Sequence, residues 1–167
     1  MENSPIRIAT ITVSDTRVAS TDKSGPVLGD ALRSCKFLVV SHVIVLDEVE
    51  AIQAIVQKIA ESRFVEAIVL TGGTGITERD VTIEALRAIW SKELDGFGEA
   101  FRQLSWKEIG ARAMLSRAAA GVVGKCVVFA LPGSVKAVKL AANELIAPVL
   151  EHAVGLLMGR GHPEKTA

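Results

Sequence analysis

The residues whose types and spacing carry chemistry are gathered in Val69-Leu70-Thr71-Gly72-Gly73-Thr74-Gly75-Ile76-Thr77-Glu78-Arg79-Asp80-Val81-Thr82. Three glycines within four residues let the backbone take positive φ and let a ligand approach the main chain with no Cβ in the way. Consecutive amides in such a loop form an anion-holding concavity, and a helix start just after it adds partial positive charge. Phosphate is the guest this chemistry suits. Thr71 and Thr74 add hydroxyl donors, Arg79 a fixed cation, and Asp80 a carboxylate suited to holding magnesium against that phosphate. The plainer account is a glycine-rich turn with Asp80 or Thr82 as the N-cap of the next helix. It leaves the glycines, the threonines and the Arg-Asp pair without a common reason. A Walker loop is excluded, since its Gly-Lys-Ser/Thr ending occurs nowhere at the required spacing. The dinucleotide fingerprint fails at Glu78, where its third glycine would fall.

Strands and helices must bring these residues together. Ile6, Ile8, Ile11 and Val13 mark a strand that ends at Ser14-Asp15-Thr16. Ser24 is placed to cap a helix with Pro26 near its start and an apolar stripe of Val27, Leu28, Ala31 and Leu32. Phe37 to Leu46 reads as a second strand ending at Asp47-Glu48, and Ile52, Ile55, Val56 and Ile59 are spaced as one helix face. Ala67 to Leu70 is a buried strand before the glycine loop. Ser91 to Gly110 carries two short helical patterns punctuated by glycines, Ala111 to Ala120 reads as helix, and Lys125 to Leu131 as strand. Pro132-Gly133-Ser134 is then a second strand-to-helix corner, and Pro148 should kink or restart the helix beyond it. The tail after Gly159 is short and polar and reads as mobile.

Alternating strands and helices imply an α/β fold with a mostly parallel sheet covered on both faces, and in such folds ligands sit at the carboxyl ends of strands. The polar strand ends at Ser14-Asp15, Asp47, the glycine loop and Pro132-Gly133-Ser134 can then face one crevice. Asp47 and Asp80, far apart in sequence, can converge there as a magnesium-holding pair above bound phosphate. A helix cap for Asp47 and a plain turn role for Asp15 remain open alternatives.

The totals narrow the class. The 167 residues suit one domain, with an ordered core from about 6 to 158. Nineteen basic residues balance nineteen acidic ones, which gives no reason to expect nucleic acid or an anionic membrane as partner. The 49% hydrophobic content favours a buried oligomer contact. Cys35 and Cys126 read as small core residues in a reducing compartment. His42, His152 and His162 share no ligand-like spacing, and Trp90 and Trp106 read as packing or interface residues. No signal-peptide pattern opens the chain and no apolar run is expected to reach spanning length, so a cytoplasmic location is expected.

The string Thr71-Gly72-Gly73-Thr74-Gly75, followed by Arg79-Asp80, resembles the signature of the MoaB/Mog family, molybdopterin-binding proteins of molybdenum cofactor biosynthesis. The resemblance runs from about Ile6 to Leu150, with Gly96-Phe97-Gly98-Glu99, Ile109-Gly110 and Ser116-Arg117-Ala118 closer to the MoaB branch. It implies a three-layer αβα sandwich and a homo-oligomer, trimer or hexamer. In Mog-like members that join molybdopterin phosphate to AMP two aspartates are needed, and their motif positions match Asp47 and Asp80. The resemblance therefore implies a molybdopterin adenylyltransferase using Mg2+ and ATP. In it Gly72, Gly73, Thr74 and Gly75 hold the pterin ligand or its phosphate, and Asp47 and Asp80 serve the metal and triphosphate. Arg79 would offset developing charge, while Ser14, Asp15, Thr71, Pro132, Gly133 and Ser134 complete the substrate-binding set. A non-catalytic molybdopterin-binding or delivery protein is the alternative, and a related nucleotide pyrophosphatase or deamidase a third.

Overall fold

The computed structural model describes residues 4–160. Strand β1, Arg7–Val13, is followed by α1, Ser24–Ser34, β2, Leu38–Val45, α2, Val49–Glu61, and β3, Ala67–Thr71. Next come α3, Thr82–Arg87, the short β4, Lys92–Glu93, α4, Asp95–Ile109, and a 3-10 turn, Gly110–Leu115. A hairpin of β5, Ala119–Val123, and β6, Cys126–Leu131, leads into α5, Val135–Leu140, a π-helical stretch, Ala141–Ile146, and α6, Ala147–Leu157.

The six strands lie in the order β2-β1-β3-β6-β5-β4, with β2, β1, β3 and β6 parallel and β5 and β4 antiparallel to their neighbours. Side chains alternate across the sheet because successive Cβ atoms point to opposite faces. Ile8, Val69, Val127, Phe129 and Leu131 pack on one side with Leu28 and Leu32 of α1, Phe101 of α4, and Val138, Ile146 and Leu150 of the last helical run. Ala9, Ile11, Ile68, Leu70 and Val128 pack on the other with Ile52 and Val56 of α2 and Ile83 and Leu86 of α3. The result is the expected αβα sandwich. From β1 the sheet first grows to one side, to β2, and then to the other, to β3. This reversal falls between β1 and β3, and the carboxyl ends of strands at such a point are where doubly wound sheets place their ligands.

Several elements differ from the sequence-based expectation. Ser24 does not cap α1; the buried Asp22 carboxylate does, accepting the Gly25 amide at 3.0 Å and the Thr12 hydroxyl at 2.6 Å. His42, read as incidental, bridges this carboxylate (3.1 Å) and the Thr10 hydroxyl (2.9 Å), so the polar residues of β1 are all paired on that face. Burial pulls the Asp22 carboxyl up, but the bonds from Thr12, Gly25 and His42 outweigh it and hold it below the usual carboxylate range. Ser91 to Gly110 forms one 15-residue helix and a two-residue strand instead of two short helices. Gly98 lies inside α4 because a Cβ there would stand 2.6 Å from the Ala118 carbonyl. The expected helix over Ala111 to Ala120 is instead the 3-10 turn and buried strand β5.

Pro148 restarts the last helix at its first turn, after the wider π-helical turn has displaced the carbonyls its ring would strike. The combined run, Val135–Leu157, is long and apolar enough to cross a membrane, contrary to the sequence expectation. One face of it is core against the sheet. Cys126 is buried at the start of β6, its Sγ donating to the Val65 carbonyl at 3.2 Å; burial, with the nearby Glu66 charge, pushes its thiol up to about 11. The tail expected to be mobile begins at the limit of the described residues and lies mostly outside them, as does His162.

Candidate functional site

β3 ends at Thr71, whose hydroxyl donates to the Pro132 carbonyl at 3.1 Å, and the Gly72 amide donates to the Leu131 carbonyl at 3.0 Å. The glycine loop is therefore anchored first to the end of β6. Gly72 has a φ of +103°, and a Cβ on it would stand 2.3 Å from the Val13 carbonyl oxygen. Only glycine lets the loop pass that close to the end of β1. Gly133 abuts the same point, its missing Cβ 3.5 Å from the Gly72 Cα. The loop is closed on its far side by Thr82, which donates its hydroxyl to the Gly72 carbonyl (2.9 Å) and its amide to the Gly73 carbonyl (3.0 Å).

Two carboxylates rest on this loop. A Cβ on Gly73 would meet Asp47 Oδ1 at 2.7 Å, and one on Gly75 would meet Asp80 Oδ2 at 2.7 Å. Asp47 comes from the end of β2 and is not the cap of α2, where Glu48 holds the N-cap position; its Oδ1 accepts from the Val81 amide at 3.4 Å. Asp15, from the end of β1, accepts the Asp47 amide at 2.9 Å and forms an ion pair with Arg79 at the exposed loop tip. Asp80 Oδ2 accepts both the Thr77 amide (2.9 Å) and the Thr77 hydroxyl (2.6 Å).

These contacts separate the three acids electrostatically. The Arg79 guanidinium, helped by the Asp47 amide, holds the Asp15 carboxyl below its ordinary range. Burial raises Asp80, but the two bonds from Thr77 outweigh it and leave that carboxyl lowered. Asp47 goes the other way: desolvation and the negative charges of Asp15 and Asp80 push its carboxyl up. Among the described residues no group of three or more His, Cys, Asp or Glu side chains is close enough to hold a metal by itself.

Ser14, Asp15, Asp47, the loop from Thr71 to Gly75, Arg79, Asp80 and the Pro132-Gly133 corner thus meet at one end of the sheet. Ser14 and Ser134 are occupied locally. The Ser14 hydroxyl oxygen accepts the Thr16 and Arg17 amides at 3.3 and 3.2 Å, and that of Ser134 caps α5 by accepting the Ala137 amide at 3.2 Å. The helix start after the loop adds less than expected, because α3 is short and its leading amides, Val81 and Thr82, are taken by Asp47 and Gly73. Sequence reasoning placed no role on Arg117. Its guanidinium reaches the Gly75 and Asp80 carbonyls, and the residue also lines a cavity of about 430 Å³ with Arg87, Glu93, Gly98, Arg102 and Ser116.

Similarity to known proteins places the fold and the family. Residues 9–152 match the family described as a probable molybdopterin binding domain. The chain is 49% identical over 148 residues to molybdenum cofactor biosynthesis protein B of Bacillus cereus, covering 88% of each. A crystal structure of molybdenum cofactor biosynthesis protein B superposes with a TM-score of 0.90 at 47% identity, over 93% of this chain and 98% of that one. The tungsten cofactor synthesizing protein MoaB from Pyrococcus furiosus gives a TM-score of 0.80 at 38% identity, over 95% and 99%. A glycine loop at the reversal point of a six-stranded sheet and close likeness along nearly the whole chain place this protein in the MoaB/Mog family of molybdenum cofactor biosynthesis, on its MoaB branch.

Proposed function

We propose that the protein catalyses Mg-ATP-dependent adenylylation of molybdopterin. The observation that carries this reading is the seating of Asp47 and Asp80, from separate strand ends, on Gly73 and Gly75 of one loop. The terminal phosphate of molybdopterin attacks the α-phosphorus of ATP and pyrophosphate leaves. Gly72, Gly73, Thr74 and Gly75 bring the main chain against the phosphate. Asp47 and Asp80 would hold magnesium, which would supply neutralisation of the charge on the departing pyrophosphate. Arg79 offsets charge from the loop tip, and Asp15 holds the Asp47 backbone in place. The protein's share is positioning and electrostatics, because phosphoryl-type transfer asks little covalent work of side chains.

The test is AMP transfer and pyrophosphate release with purified protein, molybdopterin and Mg-ATP, beside Asp47→Asn and Asp80→Asn. Product from the parent that falls by at least about a hundredfold in both variants, with pterin binding retained, supports the transferase. Equal loss of binding and turnover in Asp80→Asn would falsify its metal role. A second reading, binding and delivery of molybdopterin without transfer, is favoured by the two hydrogen bonds that Thr77 donates to Asp80, which give that carboxylate a loop-organising task. Tight pterin binding with no ATP-dependent product selects it.

A further inference from the structure

Arg117 stands between the 3-10 turn and β5, and its contacts converge on the glycine loop from the side opposite Asp47. Its Nε donates to the Gly75 carbonyl at 2.7 Å and its Nη2 to the Asp80 carbonyl at 2.8 Å. These two carbonyls flank the exposed tip formed by residues 76–79. The same guanidinium forms an ion pair with Glu84 on α3, Nη2 lying 3.2 Å from Oε2, and it holds the Glu84 carboxyl below the usual range. Within the tip, Thr77 and Asp80 bond to each other, which shapes the turn without fixing it to the sheet. The Arg79–Asp15 ion pair ties the tip to the end of β1, and Arg117 ties the two carbonyls that flank it from the β5 side. A planar fork with donors at fixed spacing can meet two carbonyls and a carboxylate together, whereas an ammonium is a point charge on a flexible stem.

We propose that Arg117 is a positioning residue. By gripping the Gly75 and Asp80 carbonyls it sets where the Asp80 carboxylate stands over the loop, and Glu84 sets the orientation of the guanidinium. The effect on turnover rests on the transferase reading; the effect on the loop does not.

The full-length chain is compared with Arg117→Met, Arg117→Lys, Glu84→Gln and the Arg117→Met/Glu84→Gln double variant. Amide hydrogen exchange, kcat, KM for ATP and the urea unfolding midpoint are measured for each. Loss of charge-assisted bonds in Arg117→Met should speed exchange at Thr77 and Asp80 by about tenfold or more, with β3 and β6 amides unchanged. The kcat should fall by about tenfold or more with KM for ATP within about twofold, the signature of lost transition-state positioning. Arg117→Lys should recover part of both effects. Glu84→Gln should give a weaker loss that disappears in the Arg117→Met background, because the two act as one unit. Unchanged loop exchange in Arg117→Met, or a lowered unfolding midpoint with unchanged kcat, overturns the proposal. If the parent makes no product, the transferase reading fails on its own and loop exchange still decides the role of Arg117. If Arg117→Met loosens the whole sheet, Arg117→Lys carries the same comparison.

Discussion

Gly72 and Asp22 show how much of the framework rests on single residues. A side chain at Gly72 would combine a left-handed φ with a collision against the Val13 carbonyl, which no rotamer relieves. Gly72→Ala should cost about 1–3 kcal/mol in urea unfolding, the usual range for a strained backbone position. Asp22 is buried against the Thr12 hydroxyl and the Gly25 amide, so Asp22→Ala leaves both donors unpaired and should cost about 2–4 kcal/mol. Its carboxyl is lowered in the fold, so its contribution is complete above the unfolded value of about 3.9 and is lost as pH falls through the folded one. Unfolding curves at pH 7 and below pH 4 should therefore converge for parent and Asp22→Asn on the acid side. Equal separation at both would remove Asp22 from the acid transition. The position of Asp47 at a strand end was legible because it closely follows the apolar run of β2, whereas Asp80 lies nine residues beyond β3 and its place against the loop came from the glycine-rich string itself. Arg117 was not legible, because a side chain that works through backbone carbonyls leaves no pattern of partner residue types.

At the level of elements, hydrophobic periodicity found β1, β2, β3, β6, α1 and α2 and failed around residues 91–123. Ala118-Ala119-Ala120 looks helical because alanine is the best helix former, yet these residues are buried, and β5 pairs through Ala119 and Ala120 with Ala130 and Phe129. Tertiary pairing overrides propensity there. In α4, Gly96 and Gly98 look like breaks, but the space at Gly98 is what lets the helix approach the chain before β5. The corner after β6 gives a prediction at this scale. The Ser134 oxygen caps α5, so Ser134→Ala should lower stability by about 1 kcal/mol and leave affinity for molybdopterin nearly unchanged. A large loss of affinity with unchanged stability would return Ser134 to the ligand set.

For the whole molecule, the order β2-β1-β3-β6 explains why residues near positions 15, 47, 80 and 132 share one rim. Strand direction alone delivers their carboxyl ends to the same side, and that convergence was readable from the alternation of elements. The sheet leaves β2 at an edge, with Leu38 and Leu46 exposed at its ends, and Val149 and Leu156 exposed on α6. Uncovered apolar side chains at an open strand edge invite pairing between copies. Sedimentation velocity should therefore give an oligomer, with a trimer or hexamer the state that the family resemblance implies. A monomer that persists as concentration rises would overturn the homo-oligomer expectation.

The buried thiol beside the Val65 carbonyl has a practical consequence. With its ionisation pushed up to about 11, Cys126 offers almost no thiolate at neutral pH and is shielded from alkylating reagents while β3 and β6 stay joined. With the more exposed Cys35 replaced, its modification rate in native buffer counts the openings at the start of β6. The chain thus carries its own clock for exposure of this strand, readable without any substrate.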